Sequence, residues 1–411
     1  MGNIFEVFRK VLFLYSKFGL RATIREIVKK TGVPLLNKLV GQHDFLRDFE
    51  YVSMEPVNPT PNGAPRNTVN WYIPVIGKGS GGHGNIFRLV RALEEIGVES
   101  RIIIVGANHP KNSDVAAEQI RNWFFPLKAR VFLYGEVVPE AFIGMATEWI
   151  TAYYLRNSAM ESERGYFIQD FEPWFYPRGS HYALAEETYR FGFKAVTAGA
   201  WLSELVTKDY GMQSMHIGFS PDWSIYGRKE VHGTAEIKRV FFYARPSTPR
   251  RDFELGMLAL QRITVLRPEV EVLLAGWDLS TIKIPFKHKS FGILKEHQLP
   301  GVYSQADVAL VISATNMSLL PVDLIACEVP VVSNRTPGVA WLLNDSNSYL
   351  CDLTVESIAS SIIEVLDNPE EAKKRVAQGV LDISKVTWAG EAKKAAAFLG
   401  LTVNTSASGN N

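Results

Sequence analysis

The chain has 411 residues, 46% of them hydrophobic, and its 44 Lys and Arg nearly cancel its 43 Asp and Glu. That is enough chain for two domains of ordinary size, with too little net field to suggest nucleic acid as a partner. Cys327 and Cys351 are too few for a disulfide framework or a zinc site and suit a reducing cytoplasm, and no apolar run reaches the roughly 18 residues of a membrane span.

The first 40 residues break the charge balance, with eight Lys or Arg against two glutamates. "IFEVFRKVLFLYSKFGL" places Phe5, Phe8, Leu12, Tyr15 and Phe18 on one helical stripe, with Arg9, Lys10 and Lys17 outside it. The spacing predicts a basic amphipathic helix within an extension over residues 1–53. Two uses are open to it: peripheral contact with an anionic membrane surface, or packing of its aromatic stripe on the protein's own body. Its apolar stretches are short and interrupted by charge, unlike those of a secretory signal.

Residues 54–67, "MEPVNPTPNGAPRN", hold four prolines and turn-forming Asn-Pro and Asn-Gly steps, and read as a linker. Next come a strand-like run ("TVNWYIPVI"), a glycine loop ("GKGSGGHGN"), a helix in which Phe87, Val90, Leu93 and Ile96 recur at three-residue steps, and a second strand ("SRIIIVG"). This β–loop–α–β unit opens a doubly wound parallel sheet. Gly77, Gly79 and Gly82 satisfy G-x-G-x-x-G between strand and helix, where glycines let the backbone approach a phosphate and the helix start favours negative charge. A dinucleotide site also needs an acid near the end of the next strand. "RIIIVGANHP" has none, which disfavours NAD. The loop is then either a structural turn or one wall of a site whose ligand is held mainly by another domain. Further strands are expected at 130–135, 165–169 and 194–199, within an N-terminal Rossmann-like domain over 65–228.

A second alternating block covers 236–382, with strands expected at 238–244, 270–276, 308–313 and 329–333 and helices near 253–264, 319–327 and 355–366. Two such blocks predict an α/β fold of two Rossmann-like domains facing each other across a cleft. "YARPSTPRRD" sets Arg245, Arg250 and Arg251 just past a strand's C-terminal end, where open α/β sheets bind ligands. Guanidinium groups there match phosphate oxygens two at a time. "SATNMS" predicts a helix starting near Ser318 or Leu319, capped by Ser318 or Asn316, with Asp323 about one turn on and facing the cleft. A lone buried carboxylate is costly without hydrogen bonds, so Asp323 needs a hydroxyl or N–H partner, which a nucleoside sugar would supply. Asp170 and Glu172 either orient an acceptor hydroxyl or form a loop salt-bridge pair. Trp174 and Phe175 either stack on a sugar or belong to the core. The tail "NTSASGNN" is too polar to fold.

"TNMSLLPVDLIACEVPVV" resembles, without a gap, the E-G-x-G-x-x-x-x-E-A-x-A-C-G-x-P-V-V signature of retaining GT-B glycosyltransferases of family 4. "GILKEHQLPGVYSQADVALVIS" resembles the segment preceding it, "YARPSTPR" the pyrophosphate motif, and "GSGGHGN" the N-domain glycine loop. Thr387-Trp388 resembles the entry to a C-terminal helix, here within 383–411, that crosses back onto the first domain. "YFIQDFEPWFYPRGSHYALAEETYRFGFKAVTAGAWLSELV" is similar to WsaF-type rhamnosyltransferases of S-layer glycan assembly.

The resemblance implies transfer of L-rhamnose from dTDP-β-L-rhamnose, with retention and without metal or other cofactor. The acceptor would be a rhamnan or lipid-linked glycan in the cytoplasm, at the inner face of the membrane. Donor contacts are implied at Gly81, Gly82 and His83; at Arg245, Arg250 and Arg251; at Gly292 and Leu294; and at Thr315, Asn316, Met317, Ser318 and Asp323. Acceptor contacts are implied at Gln169, Asp170 and Trp174, and catalytic work at Asp170, Glu172, Arg245 and Arg250. The departures point the same way. The signature's first glutamate is Thr315 and its second is shortened to Asp323, compatible with a deoxyribose that offers only a 3′ hydroxyl. Gln169 stands where the family places a histidine near the sugar O6, which rhamnose lacks. The alternatives are another nucleotide-sugar donor, or a glycan or nucleotide-sugar binder without turnover.

Overall fold

The computed structural model describes residues 45–106, 109–230 and 237–403. The basic stripe expected over residues 1–40 and the polar tail after residue 403 lie outside these residues. Up to Glu55 the chain forms a unit of its own, whose described part is a 3-10 turn, Phe45–Phe49, followed by the short helix Glu50–Ser53.

From Pro56 onward two all-parallel sheets follow each other. The first has seven strands: β1 Thr68–Ile73, β2 Glu99–Ile104, β3 Arg130–Leu133, β4 Ala141–Ala146, β5 Glu161–Ile168, β6 Lys194–Ala198 and β7 Ser214–Ile217, in spatial order 3-2-1-4-5-6-7. The second has six: β8 Lys238–Tyr243, β9 Val270–Ala275, β10 His288–Ser290, β11 Val308–Val311, β12 Val331–Asn334 and β13 Tyr349–Cys351, in order 10-9-8-11-12-13. Each sheet reverses its winding next to its own first strand, between β1 and β4 and between β8 and β11. Ligands of open α/β sheets lie at the carboxyl ends of strands beside such a reversal.

The first-domain core joins β1 and β2 to the helix Gly81–Glu95 and, from the far end of the chain, to Ala392, Ala395, Ala396 and Leu399 of the helix Trp388–Leu399. The last helix thus completes the core of the first domain. Two further clusters cover the two faces of the second sheet.

Four strands escape the sequence reading: β4, β7, β10 and β13. Strand β4 ("AFIGMA") is central but poor in β-branched residues, because the space there is small. A Cβ on Gly144 would lie 2.3 Å from Leu155 Cδ1 and 2.9 Å from Glu161 Cγ. The segment expected as a linker is instead docked along the first sheet. Asn62 receives Ser162 Oγ–H at 2.7 Å and donates to Met160 O at 2.9 Å, and Val57 N–H reaches Arg156 O at 3.1 Å.

Candidate active site

Four loops at strand ends meet between the two sheets: the glycine loop after β1, Gln169–Phe175 after β5, Arg245–Arg251 after β8, and Ser313–Leu319 after β11. The glycine loop starts the helix Gly81–Glu95 in the expected way. Ser80 caps it, accepting the His83 N–H at 3.4 Å and contacting His83 Nδ1 at 2.9 Å. Burial lowers the His83 pKa, so its ring is held neutral. Gly82 presents its carbonyl to Gln169 Nε2 at 3.1 Å, and Asn85 donates to Gln169 Oε1 at 3.2 Å. Gln169 is therefore tied to the glycine loop.

Asp170 crosses to the second domain. Its Oδ2 accepts from the Thr315 hydroxyl at 2.7 Å, its Oδ1 from the Asn316 N–H at 3.0 Å, and Arg250 Nε stands 3.3 Å from Oδ2. Glu172, two residues on, turns inward. It is fully buried and accepts from Trp149 N–H and the Tyr166 hydroxyl, while its own N–H donates to the Tyr189 hydroxyl. Burial raises its pKa well above the carboxylate range, with Glu148, itself pushed up to about 7, adding to the effect. The expected pairing of Asp170 and Glu172 at an acceptor hydroxyl thus divides. Asp170 faces the interdomain junction, whereas Glu172 holds its loop from behind because its carboxyl group is consumed by buried donors. Trp174 is 48% exposed and lies 5.7 Å from the Trp201 ring, so it stands at the surface of the cleft rather than in the core.

The three arginines also divide. Arg245 makes a long hydrogen bond, 3.4 Å to Gly276 O, and its guanidinium lies 5.8 Å from the centre of the Tyr243 ring. Arg250 lies 4.1 Å over the Phe175 ring, and its buried Nε makes no hydrogen bond. Arg251 turns into the protein, donating to Ser313 Oγ at 2.5 Å and Asn316 O at 3.2 Å. Desolvation lowers its pKa to about 10, and through Ser313 and Asn316 it braces the loop.

The expected helix cap is absent. The helix runs Leu320–Ala326, with Leu319 at its N-cap position making no side-chain cap and Pro321 in its first turn. Proline there has no N–H to satisfy, so the start needs less capping. Asn316 is used elsewhere. Its amide donates to Gln169 O at 2.9 Å and Ala198 O at 2.8 Å, and its Oδ1 accepts from Trp341 Nε1 at 2.7 Å. It rivets the two domains. Met317 is buried, with its N–H on Gly338 O at 2.9 Å; Ser318 is half-buried beside it.

Asp323 is buried as expected, and its Oδ1 has no hydrogen-bond partner. Desolvation pushes its pKa up to about 8, Arg88 pulls it down, Glu296 pushes it up, and a hydrogen bond from Tyr226 favours the charged form. Arg88, on the first-domain helix, forms an ion pair with Glu296 of the second domain. Neither Arg88 nor Tyr226 carries a motif, and no sequence signal singles them out; the topology brings them together. Gly292, with φ of +63°, offers its carbonyl to Gly276 N–H at 2.8 Å, and half-buried Leu294 packs on the adjoining core.

Models of the WsaF N-terminal domain and the WsaF C-terminal domain match residues 69–198 and 238–363, together more than half of the chain. The chain belongs to the WsaF family. A curated relative, the O-antigen biosynthesis protein RfbC of Myxococcus xanthus, is 30% identical over 334 residues, 79% of this chain. The WsaF-family chain spans about a quarter of that relative, 26% of its length. Among solved structures, sucrose-phosphate synthase of Thermosynechococcus elongatus superimposes with a TM-score of 0.62 at 12% identity, covering 80% of this chain and 97% of that one. Anabaena Alr3699/HepE, solved with UDP and glucose, gives 0.62 at 12% identity, covering 81% and 99%. A glycosyltransferase from Rickettsia africae gives 0.55 at 13% identity, covering 83% and 98%. These neighbours establish the GT-B fold for the WsaF-family chain. Among its described residues no helix is long and apolar enough to cross a membrane.

Proposed function

We propose that this chain is a metal-independent retaining glycosyltransferase that moves L-rhamnose from dTDP-β-L-rhamnose to a rhamnan or lipid-linked surface-glycan acceptor. The observation that carries the reading is a pair of unmet demands on one side of the cleft. Arg250 Nε, in the turn after β8, and Asp323 Oδ1, in the helix Leu320–Ala326 that follows β11, are both buried and without hydrogen bonds, one a cation and one an acid. A nucleoside diphosphate satisfies both, its phosphate meeting the guanidinium and a sugar hydroxyl meeting the carboxyl.

In this reading the departing diphosphate gathers charge, which Arg245 and Arg250 stabilise where the charge develops. Retention follows from attack on the face from which the diphosphate leaves, with a phosphate oxygen accepting the acceptor's proton. Asp323, short of a full glutamate reach, suits the single free ring hydroxyl of a deoxyribose. Gln169, held by Gly82 and Asn85, suits a sugar with no O6. Trp174 offers an apolar face to an acceptor sugar.

A thermal-shift panel tests the reading. We expect dTDP to raise the unfolding midpoint by more than UDP, GDP or NAD, and Arg245→Ala to remove most of the shift. A preference for UDP, the nucleotide bound by HepE, would keep a nucleotide-sugar enzyme but discard dTDP-rhamnose. Stabilisation by NAD alone would discard glycosyl transfer altogether.

A further inference from the structure

Asp170 belongs to the first domain, but its carboxylate is held by the second. A hydroxyl (Thr315), a backbone N–H (Asn316) and a guanidinium (Arg250) converge on it at the carboxyl ends of two parallel strands. That is the donor set of an anion receptor. The occupant fits it incompletely. Oδ2 lies 3.3 Å from Arg250 Nε, yet Nε is left without a hydrogen bond. A carboxylate has two oxygens in one plane, whereas a phosphate has a tetrahedral array that can also serve a donor out of that plane.

Resting on the donor reading above, we propose that the Asp170 carboxylate is an internal stand-in for the donor's diphosphate, filling its receptor in the empty enzyme and leaving when the donor binds. Two anions cannot share the Asn316 N–H and the Thr315 hydroxyl at contact distance without strong repulsion in a partly desolvated site. The exchange also links donor binding to the domain interface. The contacts that Asp170 gives up to Thr315, Asn316 and Arg250 are contacts between domains, while the Asn316 amide bonds to Gln169 O and Ala198 O remain as the pivot. Donor binding therefore loosens one set of interdomain contacts and keeps the other.

Two measurements test this. Titration calorimetry with inorganic pyrophosphate and with dTDP compares the wild type with Asp170→Asn and Asp170→Ser. Both ligands are expected to bind several-fold tighter to both variants, because no carboxylate has to be displaced. Equal or weaker binding by the variants overturns the proposal and makes Asp170 a simple brace. Hydrogen exchange on the wild type needs no substitution. In the empty enzyme Oδ1 of Asp170 accepts both the Asn316 N–H and the Phe171 N–H, the latter at 2.9 Å. Saturating dTDP should speed exchange at Phe171, whose partner departs, and leave Asn316 protected by the new anion. Undiminished protection at Phe171 overturns the proposal even if a variant misfolds. If the wild type binds dTDP and neither test responds, only this proposal falls. If no nucleoside diphosphate binds at all, the donor reading falls and takes the proposal with it.

Discussion

Asp323 shows what a single side chain reveals at this site. Its carboxyl group keeps its proton in the folded state up to about pH 8, while in the unfolded chain it ionises at an ordinary carboxylate value near 4. The folded state therefore binds the extra proton between these two values, and the stability contributed at this position falls as pH rises through that window. Asp323→Asn should leave the unfolding midpoint nearly unchanged at pH 4 and raise it at pH 8 to 9, by about 1–3 kcal/mol of stability. The same variant should weaken dTDP binding roughly tenfold, the loss of about one hydrogen bond. Chemical denaturation across pH, beside calorimetry, checks both arms; a variant no more stable at pH 8 than at pH 4, relative to wild type, would contradict the burial argument. The acid at position 323 and the arginines at 245 and 250 were legible as residues from their motifs. Their different surroundings were not, since Arg251 and Glu172 look no different in sequence and yet bond to buried partners.

At the scale of elements, the loop Ser313–Leu319 is shaped from outside itself. Arg251 and Asn334 hold Ser313, the former through its hydroxyl and the latter through its N–H at 2.8 Å, and Gly338 closes the far side. A Cβ on Gly338 would lie 2.2 Å from Thr315 O, a backbone atom with no easy retreat. Gly338→Ala should destabilise the protein by about 1–3 kcal/mol, and it should weaken nucleotide binding because it displaces Thr315 and Asn316. Thermal unfolding and dTDP titration on the one variant read both effects, and normal binding by a folded Gly338→Ala protein would show that the loop position is not needed. Strand β4 gives the complementary lesson. Its Gly144 is dictated by the neighbouring Leu155 and Glu161, so its composition reports tertiary crowding and hides its strand character.

For the molecule from Pro56 onward, the decisive element is the last helix. Trp388 donates from Nε1 to Ser220 O at 2.9 Å, and buried Glu391 accepts the Gly218 N–H at 3.1 Å. With Ala392, Ala395, Ala396 and Leu399 in the first-domain core, this helix is tied to the first domain although it follows the second in the chain. Ending the chain after Lys385 would expose that face of the helix Gly81–Glu95. At about 0.8 kcal/mol per buried CH₂ the loss amounts to several kcal/mol, so the truncated protein should unfold at a clearly lower temperature or collect in the insoluble fraction. A truncated protein with the wild-type midpoint would show that the helix is dispensable.

By itself the sequence determined the alternation of strand and helix, the two-domain architecture and the loops at which anions would meet arginine, because hydrophobic periodicity, glycine loops and strand-end charge are local properties of the chain. Only the tertiary structure decided strand order, since the central β4 is disguised by packing. Only it set Asp170 against Thr315, Asn316 and Arg250, because those contacts span about 80 to 146 residues of chain and exist where two separately wound sheets present their carboxyl ends to each other. Arg88 and Tyr226 beside Asp323 belong to the same class. Their roles come from the cleft into which the fold delivers them, and a single side chain with no motif around it carries no local mark of that destination.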